Sequence, residues 1–375
     1  MKDKCLLDFE YLYNALKKHP SFQREDKLPE YETISAKLRS RVQGYTSLVN
    51  AMTELTMFFG DGHTNIEIPY SNDDYCIKLD CEWQGDSLIL KEKYEDVEAG
   101  AEIKAIEGMK IEQVLERAAL LIPHENIYLV KSRMTEYPYI NYHIFSEMNL
   151  SRLYGRKSSY RVTFKRENAE FEKQCELVKY DGFIDFQDNN FIHYEIQGNR
   201  AVLHLDGCVY DDEYKKKLAE LAKLCKQNSI EILELDLSKN MGGNSLVIDE
   251  FISYVDVASF RHYEMIDYSE GSPQIVCSRK NIARNCKKEI LFPHKIVCRV
   301  SNTTFSSART FAVTLKDNHI ATIIGQPTGG KPCSYGMPRR DSTPNYNIRF
   351  RVSRCLFLRP DDSLDDEITL FPADI

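Results

Sequence analysis

Apolar residues recur at helical spacing through the first part of the chain. Cys5, Phe9, Leu12 and Leu16 fall on one face, and His19-Pro20 closes that segment. Ile34, Leu38, Val42, Tyr45, Leu48, Met52, Leu55 and Phe59 then predict one longer helix, which Gly60 ends and Asp61-Gly62 turns. From about residue 75 to 190 the pattern is mixed. Ser87 to Leu90 and Glu102 to Ile106 read as strands, Tyr160 to Phe164 alternates like a half-buried strand, and Ile111, Val114, Leu115, Ala118 and Ile122 follow a helix. From about 191 strands and helices alternate. Ala201–Leu205, Glu231–Leu237, 296–300 and 320–324 are strand-like; 212–227, 245–255 and the Ala308, Phe311, Ala312, Leu315 face are helical. Such alternation predicts an α/β domain, within an α+β multidomain chain.

Composition narrows the class. The chain has 375 residues, which suggests two or three domains at about 150 residues each. Its 42% hydrophobic content is enough for a real core. Net charge is 49 − 57 = −8, unsuited to general nucleic-acid binding, which needs clustered Lys and Arg. Eleven cysteines, an odd number without a Cys-x-x-Cys pair, support neither a disulfide framework nor a zinc site and read as packing thiols. No apolar run reaches eighteen residues, so no membrane span is expected. With no leader-like start, the expectation is a cytoplasmic protein, or an exported one if a native leader has been trimmed.

Three loops carry candidate chemistry. Gly60-Asp61-Gly62-His63-Thr64 presents an imidazole on a turn, either a base that titrates near neutral pH or a helix cap. Asp236-Leu237-Ser238-Lys239-Asn240-Met241-Gly242-Gly243 ends a buried strand, and its glycines could turn N–H groups toward an oxyanion or simply make a strand-to-helix turn. Ser301-Asn302-Thr303-Thr304-Phe305-Ser306-Ser307-Ala308 enters a helix, where a serine is either an N-cap or a nucleophile beside orphan N–H donors. A fourth segment, Gly325 to Pro332, approaches a phosphate-binding loop. It lacks the hydroxyl after Lys331 and any helical pattern beyond it, which argues against a nucleotide site. His204, between Leu203 and Leu205, reads as structural, and the Tyr137 to Tyr142 stretch as packing or a groove lining.

Together the segments resemble the S41 serine peptidases, the C-terminal-processing or tail-specific protease family. Ser306-Ser307-Ala308, Lys316-Asp317 and Ile323 to Pro332 are similar to its nucleophile region, and the Asp236 loop to its Asp-Leu-Arg-x-Asn-x-Gly-Gly segment, with Ser238 in place of the Arg. Gly60 to Thr64 resembles the Asp-Gly-His-Thr loop of one branch, and Ala99 to Gly108 a degraded PDZ domain. Pro372-Ala373-Asp374-Ile375 resembles the family's terminal Pro-Asp-Ile with one insertion. The resemblance implies an N-terminal helical region carrying His63 over 1–72, a PDZ-like mixed insert over 73–190, and a crotonase-like α/β peptidase core over 191–375.

By that resemblance Ser306 is the nucleophile, chosen over Ser307 because one branch spaces the serine 25 residues before its lysine, here Lys331. A serine hydroxyl needs a base. His63 is ready near pH 7, whereas Lys331 would have to lose about three units by burial; His63 is the expected base and a Ser306-Lys331 dyad the alternative. Glu367, with Asp366 next, is expected to orient His63, in an acidic run otherwise read as solvated. Gly242 or Gly243 and Ser307 are expected to supply oxyanion N–H groups. A peptide or protein substrate is implied, with no cofactor or metal, and a homo-oligomer is compatible with it. The competing class is a non-catalytic binding protein of this fold for a peptide or an apolar ligand.

Overall fold

In the computed structural model the described residues are 2–67, 74–135, 142–180 and 191–373. They form two compact units. One joins the N-terminal half, through residue 180, to 338–353; the other joins 191–337 to the chain from 354 onward.

The first unit has two cores. Helices Lys2–Leu16, Leu28–Ser40 and Tyr45–Met57 pack through Phe9, Leu12, Leu16, Tyr31, Leu38, Leu48, Met52 and Leu55. The single long helix expected over 34–59 is thus two. Gly44 is extended (φ −170°), and Ser47 Oγ takes its N–H at 2.9 Å, which starts a new helix there. Ile348, Phe350 and Val352 complete this core from far along the chain. Strand Arg349–Val352, which carries Phe350 and Val352, pairs antiparallel with Asn65–Glu67, immediately after the His63 loop. The second core lies under a sheet ordered Cys81–Gln84, Ser87–Leu90, Glu102–Ile106, Ser159–Arg166, Ala169–Glu176, covered by helices that include Ile111–Ala119. Of the Tyr137 to Tyr142 stretch only Tyr142 lies within the described residues; Asp374 and Ile375 also lie outside them.

The second unit centres on a five-stranded sheet. Its order is Ile192–Gln197, Arg200–Leu205, Ile232–Asp236, Lys295–Val300, Thr322–Gly325, and all neighbours are parallel except the first pair. Parallel strands need crossovers, supplied here by helices Asp212–Gln227 and Ser307–Asp317. The first is capped by Asp211, whose carboxylate accepts from Tyr214 N at 2.8 Å. Leu203, Leu233, Leu235, Cys298, Phe251 and Phe311 fill the core. In such open sheets chemistry gathers beyond the carboxyl ends of the strands, where the loops after Asp236 and Val300 emerge. No helix among the described residues is long and apolar enough to cross a membrane.

Candidate active site

Ser306 stands at the junction between strand Lys295–Val300 and helix Ser307–Asp317, with φ 53° and ψ −126°. A non-glycine residue in that region costs of order 1–3 kcal/mol and persists only where its surroundings impose it. Here they do. Thr304 Oγ1 donates to Leu237 O at 2.7 Å and accepts from Ser301 N at 2.9 Å, and Phe305 N donates to Asn240 O at 3.1 Å. Behind the turn, Ser306 O accepts from Thr310 N at 2.9 Å. The strand therefore delivers the serine on a sharp turn at a helix N-terminus, the arrangement that exposes a nucleophile to unsatisfied N–H groups.

The Asp236 loop packs directly on this turn. A Cβ on Gly242 (φ 107°) would lie 2.7 Å from Ser306 Cβ, and one on Gly243 (φ 138°) 2.4 Å from Cys208 O. Ser307 Oγ donates to Gly243 O at 2.7 Å. Asn240, fully buried, organises the loop: its Nδ2 donates to Leu205 O at 2.7 Å and its Oδ1 accepts from Gly242 N at 2.8 Å. The Gly242 N–H expected to serve an oxyanion is thus committed to Asn240. Gly243 follows Gly242 in the loop, and Ser307, as the first residue of its helix, has an N–H with no partner inside that helix. Ser306, Ser307, Gly242 and Gly243 share one site.

His63 sits in the first unit on a tightly held loop. Asp61, 1% exposed, accepts from His63 N through Oδ1 at 2.9 Å and from Thr64 Oγ1 through Oδ2 at 2.6 Å; His19 Nε2 lies 3.2 Å from that second oxygen. Thr64 Oγ1 in turn accepts from Ser353 N at 3.0 Å. His63 Nδ1 faces two carboxylates, Glu125 Oε1 at 3.6 Å and Asp61 Oδ1 at 3.7 Å. Burial works against the charged ring, but these two carboxylates outweigh it and raise the imidazole above its usual 6.5. Asp61 is also buried, which opposes its charge, yet His19 and His63 hold it well below the usual carboxylate range. Asp61, His63 and Glu125 offer ligand atoms all within 4.8 Å of one another, a spacing that a divalent cation could span.

The remaining expected residues lie in other surroundings. Glu367 accepts from Arg359 Nη1 at 2.5 Å and lies 3.7 Å from Lys316 Nζ. Arg359, fully buried, also grips Asp317 through two bonds of 2.9 and 2.6 Å. Asp365 takes two bonds from Arg279, at 2.6 and 2.9 Å, so Asp365 and Glu367 of the acidic run are engaged by arginines, while Asp362 and Asp366 are exposed. Lys331 is exposed. The segment around it leads into strand Ser334–Gly336, not a helix, which removes the phosphate-loop reading. His204 stacks on His193 with ring centroids 4.5 Å apart, and its Nδ1 lies 3.1 Å from Asp236 Oδ2. Glu125 escaped the sequence reading because it belongs to no motif, and only the fold puts it beside His63.

The sequence model of peptidase family S41 matches residues 199–354. Mature CPAF complexed with lactacystin shares the fold at a TM-score of 0.72 and 13% identity, covering 99% of this chain and 93% of that one. A candidate peptidase from Parabacteroides merdae matches at a TM-score of 0.52 and 12% identity, covering 98% and 87%. No curated protein matches the sequence.

Proposed function

We propose that the chain is a serine peptidase of the S41 type, with Ser306 its nucleophile and His63 its general base; the match of the S41 family model to residues 199–354 and the fold shared with mature CPAF support this reading. The observation that carries this reading is the backbone of Ser306: a strained turn at a helix N-terminus, seated on a glycine that tolerates no side chain.

In the proposed reaction Ser306 Oγ attacks the carbonyl carbon of a peptide bond and passes its proton to His63. The carbonyl oxygen becomes an anion, and the N–H groups of Gly243 and Ser307 stabilise it; one such donor is worth roughly a hundred- to thousand-fold in turnover. His63 then returns the proton to the departing amine, leaving an acyl-serine that water hydrolyses. Since Nδ1 faces Glu125 and Asp61, that nitrogen keeps its hydrogen and Nε2 is the basic one. Gaps of 3.6 and 3.7 Å are longer than hydrogen bonds, and such contacts commonly tighten when substrate binds. We assign the orienting role to Glu125 and Asp61 rather than Glu367, which Arg359 and Lys316 engage.

Lys331 suits the base less well. A lysine acquires basicity near pH 7 by burial, and this one is exposed. The substrate class is a peptide or protein chain. The test is covalent labelling by a fluorophosphonate: wild type should acquire one adduct and Ser306→Ala none. An unlabelled wild type, or a labelled Ser306→Ala, would overturn the assignment and favour a non-catalytic binding protein.

A further inference from the structure

Two loops must be held at the right separation for Glu125 to serve His63. His63 follows Gly62 in one turn, and Glu125 follows Pro123-His124 in another, about sixty residues later. Neither segment is a helix or a strand. Irregular segments drift more than the elements they join, and a shift near 1 Å at a reacting group typically costs about a hundred-fold.

Arg133 spans both. It sits near the end of helix Ile127–Thr135 and is 1% exposed. Its Nη2 donates to Gly62 O at 2.7 Å, the carbonyl directly before His63, and its Nη1 donates to Pro123 O, two residues before Glu125. The guanidinium lies 5.3 Å from the ring centre of Tyr142, whose hydroxyl donates to Ile66 O at 3.2 Å on the strand that leaves the His63 loop. The helix itself begins beside the Glu125 loop, where Asn126 Oδ1 accepts from Leu129 N at 3.0 Å. One planar fork is therefore bonded to the backbone on either side of the His63–Glu125 gap. A guanidinium can do this because its donors are fixed in a plane; an ammonium, with the same charge, cannot reproduce the fork.

We propose that Arg133 is a positioning residue for the peptidase reaction, setting the separation of His63 and Glu125 by bridging Gly62 and Pro123. This rests on His63 being the base. It predicts a loss in turnover rather than substrate affinity, because Arg133 is buried and its fork is spent on the carbonyls of Gly62 and Pro123.

The experiment compares kcat and KM across pH for wild type, Arg133→Lys, Arg133→Gln, Glu125→Gln and the double variant Arg133→Gln/Glu125→Gln. Thermal melting of each defines a working temperature at which all are folded. Arg133→Lys and Arg133→Gln should each lower kcat by roughly ten- to a hundred-fold with KM little changed. The double variant should lose no more than the worse of its two single variants, since both break the same unit. The acid limb of kcat/KM should move to lower pH in Arg133→Gln, as in Glu125→Gln, because either change withdraws a carboxylate from the imidazolium. Loss of a nearby positive charge alone would move it upward. Four results would overturn the proposal: a near-normal Arg133→Lys, multiplicative losses in the double variant, an acid limb that stays put or rises, or Arg133 variants that cannot be recovered folded. His63→Ala, run alongside, separates this from the parent reading: if it retains activity, the base assignment is what fails.

Discussion

Replacing Gly242 by alanine tests how the Asp236 loop supports Ser306. The added methyl meets two obstacles. Gly242 adopts φ 107°, and an L-residue there pays of order 1–3 kcal/mol in backbone strain. The methyl carbon would also sit 2.7 Å from Ser306 Cβ and 3.0 Å from both Phe305 O and Ser307 N. Carbon atoms rest about 3.5–4.0 Å apart, so the loop and the serine must separate by roughly 1 Å. That displacement at a nucleophile corresponds to about a hundred-fold in rate, or ~2.7 kcal/mol at 1.36 kcal/mol per decade. The assay is the second-order rate of fluorophosphonate labelling, with thermal melting in parallel. Gly100→Ala is the control, since Gly100 has φ 85° but nothing within 4 Å of an added methyl, so it carries strain without a clash. Gly242→Ala should lose about two decades in labelling rate, and Gly100→Ala should lose none. Equal rates for the two variants would refute the claim that Gly242 seats the nucleophile.

Glu125→Gln should lower kcat more than Glu367→Gln does, because Glu125 faces His63 while Glu367 is held by Arg359; the reverse order would restore Glu367 as orienter. The pH profile of kcat/KM has a predictable sign. His63 must be neutral to accept a proton and its pKa is raised, so activity should fall as pH drops through a midpoint above 6.5, and Glu125→Gln should move that midpoint down. Asp317→Asn leaves the buried Arg359 with only part of its counter-charge, so unfolding free energy should drop by about 3 kcal/mol, as for other broken buried pairs, read by denaturant melts. An unchanged denaturation midpoint would mean that Asp317 is no structural anchor.

The elements of the second unit were legible because each carries its own signal. The strands near 200, 232, 295 and 322 are short apolar runs, and helix Asp212–Gln227 shows its period locally. The break at Gly44 was masked because the apolar spacing runs on through Val42 and Tyr45 while a single extended residue interrupts the backbone. Long-range pairing was invisible for a different reason. Arg349–Val352 returns to Asn65–Glu67 across most of the chain, and nothing local to either strand names its partner. The same holds at the site. Ser306, His63, Gly242 and Gly243 stood in recognisable loops. Glu125 and Arg133 reach the His63 loop only through contacts made after folding, and the Gly242 N–H is diverted by Asn240 two residues away. Glu367 looked available in an acidic run, but Arg359 draws it in from a neighbouring strand end.

The mechanism stands or falls on Ser306 working with His63. Steady-state peptide cleavage by His63→Ala and Lys331→Ala, at matched pH and with folding verified, decides it. His63→Ala should lose at least about a hundred-fold in kcat, while Lys331→Ala should keep most of its activity. An inactive Lys331→Ala beside a near-normal His63→Ala would contradict this and make the reaction a serine–lysine one.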